Sequence, residues 1–69
     1  MIEVFKTNVV TPYDATKLLD VLLHQLPHCK VNFDLEDCDR ILRVDGKNAD
    51  PERIIEILTN YGYQCQMLD

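Results

Sequence analysis

Few side chains in this 69-residue chain can bind a metal or attack a substrate. They are Cys29, Cys38 and Cys65, His24 and His28, and an acidic run of Asp34, Glu36, Asp37 and Asp39. Thiolates with imidazoles suit copper or zinc, and clustered carboxylates suit calcium. No serine or tryptophan occurs, no Gly-rich loop is present to cradle phosphate, and no Cys-His pair has the placement that nucleophilic catalysis needs. The chain is therefore not expected to be an enzyme.

Spacing weakens each metal reading in turn. His24 and His28 are four apart, but Pro27 interrupts the turn that would pair them on a helix. The acidic run lacks the central Gly and terminal Glu of an EF-hand, and reads as a solvated hairpin. Cys29 and Cys65 fall in phase with inward apolar neighbours and read as core thiols. Their strands are expected at opposite sheet edges, roughly 14 Å apart, too far for one ion or a disulfide. Cys38 reads as an exposed free thiol whose only basic neighbour is Arg40. No metal and no cofactor is expected. The alternative is a copper- or zinc-handling protein with non-standard ligands, His28 and Cys29, joined by Cys38 from a second chain.

The elements that would position these groups follow from caps and periodicity. Ile2 to Val9 reads as a first strand. Thr11 then offers an N-cap hydroxyl, Pro12 fits the first helical position, and Asp14 follows three residues after the cap. Ala15, Leu18, Leu19, Leu22 and Leu26 recur at helical spacing until Pro27 ends the helix. Cys29, Val31, Phe33 and Leu35 alternate with polar residues as a second strand, 36–39 turns, and 40–44 returns as a third. A loop over 45–48 leads to Asp50 as N-cap and Pro51 as first residue of a second helix, with Ile54, Ile55, Leu58 and Tyr61 as its inward stripe. Gly62 ends it, and 63–68 forms a last strand. The order βαββαβ predicts one α+β domain over residues 1–69. It is a ferredoxin-like sandwich with a four-stranded antiparallel sheet, two helices on one face, and the first and third strands central.

Composition limits the partners. The net charge of −5 and scattered Lys and Arg disfavour nucleic acid and anionic membranes. An RNA-recognition domain shares the element order but needs aromatics on its central strands, and the third strand has none. No apolar run is long enough to span a bilayer, and the N-terminal residues have no signal-peptide pattern, so a cytoplasmic location is expected. Three cysteines at irregular spacing fit that compartment.

Several local motifs resemble the heavy-metal-associated domain of copper chaperones and metal-pumping ATPases. They are Phe5-Lys6-Thr7, Val10-Thr11, Val31 to Leu35, Asp50 to Leu58, and the Tyr61-Gly62-Tyr63 closure. The resemblance implies the same fold, with a metal loop at Val10 to Ala15 and Tyr63 as the aromatic beside it. Pro12 and Ala15 stand at the two cysteine positions of that family's Cys-x-x-Cys motif, so the metal site does not carry over. With Phe5, Leu42 and Val44 inward, Ile2, Val4 and Ile41 fall on the open face of the sheet. That apolar group is the expected interface, for a homodimer or a protein partner. A small-molecule regulatory domain is a third reading, supported by fold alone.

Overall fold

A computed structural model describes residues 2–47 and 49–68. The elements run β1 (Ile2–Thr7), α1 (Pro12–Gln25), β2 (Lys30–Asp34), β3 (Ile41–Asp45), α2 (Pro51–Asn60) and β4 (Cys65–Met67). All three strand pairings are antiparallel, and the sheet order is β2-β3-β1-β4. The fold is the ferredoxin-like α+β sandwich, with the first and third strands at the centre. Asn48, within the expected 45–48 loop, lies outside the described residues, as do both terminal residues.

The helix boundaries follow local chemistry. The Thr11 hydroxyl accepts from Asp14 N, and Pro12 occupies the first turn, where its missing N–H costs nothing. Helix α1 closes at Leu26, immediately before Pro27. At α2 the Asp50 carboxylate accepts from Glu52 N. Gly62 takes φ 89°, a conformation that side chains with a Cβ rarely adopt.

Register fixes the two faces of the sheet. Phe5 stands opposite Leu42 and Met67, and Val44 stands opposite Val31. Phe5, Leu42 and Val44 are fully buried beneath the helices with Leu22, Ile54, Ile57 and Leu58. Alternation therefore sends Ile2, Val4, Lys6, Ile41, Arg43 and Asp45 to the open face. A second cluster of Val9, Ala15 and Leu18, flanked by Phe33, Leu35 and Tyr63, fills the end of the molecule beside the β1–α1 loop.

Several expected bounds change: β2 is Lys30–Asp34 without Cys29 and Leu35, β3 is Ile41–Asp45 rather than 40–44, and β4 is Cys65–Met67 rather than 63–68. Strand β1 stops at Thr7 rather than Val9. The Thr7 hydroxyl accepts from Val9 N and donates to the Arg40 carbonyl at 2.6 Å, which turns the chain off the sheet and drives Val9 into the core. In α2, Ile57 joins the buried stripe and Tyr61 leaves it, 58% exposed. The helix ends at Asn60, so Tyr61 no longer follows its periodicity.

Candidate functional site

Three loops meet at the end of the sheet where β1 gives way to α1. Thr7 N donates to the Asp39 carbonyl, binding the β2–β3 hairpin turn to β1. Arg40, held at φ 48°, directs its guanidinium to the Leu35 carbonyl at 3.0 Å and the Val10 carbonyl at 3.4 Å. Gln64 N donates to Asn8 Oδ1 at 2.7 Å, tying the α2–β4 connection to the same loop. Tyr63 packs on the Val9–Ala15–Leu18 cluster. Its phenol is held above the usual value near 10 by partial burial, then by the nearby Asp14 carboxylate. Thr7 and Arg40 escaped the sequence reading. A threonine at a strand end and an arginine in an acidic turn carry no signal of whose carbonyls they will meet.

The Val10–Ala15 turn is thus a braced corner with no donor set. Pro12 is exposed and offers no ligand atom, and the Ala15 methyl, 5% exposed, is packed between Val9 and Leu18. A soft-metal site of the two-thiolate kind does not fit these residues. The corner exposes apolar groups instead: Val10 at 60% and Tyr13 at 70%, with the Lys17 ammonium 5.2 Å from the Tyr13 ring centroid.

The other candidate ligands are dispersed. Cys29, 8% exposed, belongs to the main core and lies under Gly46, whereas His28 is exposed beside it. Both line a cleft of about 790 Å³ with Leu26, Pro27 and Lys47. Cys38 lies in the turn beyond the far end of β2. Five strand residues, about 17 Å, separate it from Cys29 within one chain. Cys65 lies on the opposite edge strand and level with Thr7, whereas Cys29 precedes the Lys30 level that matches Ile2. The two thiols are thus farther apart than edge spacing alone requires, by about 20 Å along the strands. Burial pushes the Cys65 thiol up to about 11. Among the described residues, three potential donors converge only at Asp37, Cys38 and Asp39, within 4.8 Å of one another. Both carboxylates there are engaged: Asp37 Oδ1 accepts from Asp39 N, and Asp39 pairs with Lys6 at 3.7 Å. His24 is exposed on α1, its Nδ1 3.0 Å from the Asp20 carbonyl.

The open sheet face holds the expected apolar residues, with one correction. Ile41 has the right phase but is only 5% exposed, flanked across the strands by Lys6 and Asp34, so it cannot serve as a contact. Leu68 takes its place. Its N–H donates to the Val4 carbonyl, which sets it beside Val4, and it remains 36% exposed. Ile2 at 59%, half-buried Val4 and Leu68 form a short apolar strip bordered by Lys30, Asn32, Arg43, Asp45 and Gln66. Leu68 was legible, because it falls out of phase with Tyr63, Cys65 and Met67.

Among the described residues no helix is long and apolar enough to cross a membrane. No protein-family model, curated protein or solved structure matches the chain.

Proposed function

We propose that this protein is a small non-catalytic interaction module, a heavy-metal-associated-like domain whose metal loop has become a structural corner. It works in the cytoplasm and docks a protein through the open face of its sheet. The observation that carries this reading is the strip of Ile2, Val4 and Leu68 on the face of the sheet opposite α1 and α2. Apolar side chains ringed by charged and amide groups match the apolar centre and polar rim of a protein contact. The braced corner supports the same reading, since Pro12 and Ala15 remove the chemistry that would make the loop the working surface.

The test compares wild type with Ile2→Asp, which leaves the core untouched. Reduced, tagged protein is used to capture partners from a cytosolic extract, and self-association is measured by sedimentation. The reading expects Ile2→Asp to remove specific captured proteins or to weaken self-association. A capture profile and an association constant both unchanged by Ile2→Asp would refute it.

A further inference from the structure

The strongest unassigned feature is an edge strand that matches itself. Strand β2 forms one border of the sheet, with five consecutive residues in unbroken register on β3 and no proline or bulge. Such an edge leaves a row of outward main-chain groups free to pair with another strand, and proteins usually protect it. The opposite border, β4, has only three residues and offers far less.

The sequence of β2 is Lys-Val-Asn-Phe-Asp. Laid antiparallel on a second copy with Asn32 opposite Asn32, it places Lys30 against Asp34 at both ends and Val31 against Phe33 between them. Shifting this alignment by two residues, the smallest slip that keeps each side chain on its own face, loses both opposite-charge pairs. Val31 and Phe33 lie on the helix-covered face and are half-buried, so pairing extends the core across the junction.

The helix above this edge is apolar on the matching side. Helix α1 packs over β2 and α2 over β4. On α1, Val21 and Gln25 line the groove toward α2 with Arg53 and Ile57. Leu19 and Leu23, at about 100° per residue, stand on the opposite flank, above the free edge. Leu23 is 45% exposed there and Leu19 half-buried. A two-fold axis through Asn32 would bring this flank against its own copy.

We infer that the chain forms a homodimer by antiparallel pairing of β2 with β2 of a second copy, with Leu19 and Leu23 of the two α1 helices packing above the junction. The product is a continuous eight-stranded sheet stitched by about four to six new main-chain hydrogen bonds. Both open faces point the same way, so the dimer displays two copies of the Ile2–Val4–Leu68 strip. Lys30 and Asn32 border both surfaces, but Leu19 and Leu23 lie on the helix side of the sheet, away from the strip, and the inference does not depend on the strip.

Sedimentation of the reduced protein from micromolar to millimolar concentration tests the inference. Wild type is expected to dimerise reversibly. Lys30→Asp and Asp34→Lys each set like charges opposite at both ends and should raise the dimer dissociation constant about tenfold or more. An equimolar mixture of the two should recover association, because every end pair then joins opposite charges. Leu23→Asp should weaken the dimer with circular dichroism unchanged. Asp34 also lies 3.9 Å from Arg43 within the chain. Should its variant lose the fold, Lys30→Asp and Leu23→Asp carry the test. A wild type monomeric at millimolar concentration, or a dimer indifferent to Lys30→Asp and Leu23→Asp, overturns the inference. A dimer that responds only to Ile2→Asp overturns it as well, and places self-association on the open face.

Discussion

Replacing Gly46 with alanine tests whether Cys29 is a core thiol rather than a ligand. Gly46 follows β3, and a methyl group built on it would stand 2.5 Å from Cys29 Sγ and 3.2 Å from Cys29 Cα and Cβ. Ordinary carbon contacts lie about 3.5–4.0 Å apart. The sulfur belongs to a short side chain, 8% exposed, in the same core cluster as Leu22 and Val44, and it can yield only toward the cleft that it lines with Gly46. Gly46 does not adopt the left-handed conformation, unlike Gly62, and the penalty is therefore steric. Overpacking of this kind costs about 1–3 kcal/mol. Alanine returns about 0.4–1 kcal/mol by restricting the unfolded chain. The net loss should be about 1–2 kcal/mol, a large share of the roughly 3–10 kcal/mol expected for a domain of this size. It corresponds to a fall of about 6–12 °C in Tm. Urea and thermal unfolding followed by circular dichroism measure it. In a Cys29→Ala background the sulfur contact is gone, and the cost of Gly46→Ala should drop by about 1 kcal/mol, as contacting residues couple. If Gly46→Ala matches wild type, or costs the same in both backgrounds, then Cys29 is not enclosed as described and its availability to a ligand must be reconsidered.

Four further outcomes are expected. Ile41→Asp should unfold the domain or cost about 4 kcal/mol or more, since it buries a charge, whereas Ile2→Asp should change stability by no more than about 0.5 kcal/mol in chemical denaturation. Titration of the reduced protein with Cu(I) or Zn(II) against a chelator should give affinities no tighter than micromolar and unchanged by Cys29→Ser. Tight binding abolished by that substitution would establish the His28–Cys29 alternative. A thiol reagent at neutral pH should label exposed Cys38 well before Cys65 and Cys29. The neutral Cys65 thiol adds stability that is complete below the ordinary value of 9.0 and is lost as pH rises to about 11. The urea midpoint should therefore fall across that window, and less steeply in Cys65→Ala.

Much of the fold was legible because it rests on local rules. Thr11 and Asp50 cap their helices, Pro27 stops one and Gly62 the other, and the alternation of Val31 and Phe33 marks the inner face of β2. These depend on backbone geometry within a few residues. Apart from Tyr61, which leaves its stripe because α2 ends locally at Asn60, the main departures arose where distant segments meet. Thr7 ends its strand by binding the carbonyl of Arg40, thirty-three residues away. Ile41 has an outward phase, yet its neighbours on adjacent strands leave it almost no exposure. Phase states which face a side chain points to, and exposure depends on what stands beside it.

The same division holds for the candidate surfaces. From the sequence alone come the absence of ligand atoms at Pro12 and Ala15, the acidic charge, the βαββαβ order, and the self-matching order of charges in Lys30 to Asp34. Those properties belong to residue identity and near-neighbour spacing. Tertiary structure decided that Val10 to Ala15 is a braced corner, that Cys29 is buried beside Gly46, and that Leu68 rather than Ile41 completes the apolar strip. It also placed β2 at an edge with Leu23 above it. Each of these follows from which strands lie side by side and which helix covers them, and the hydrophobic core that sets this arrangement is shared by the whole chain.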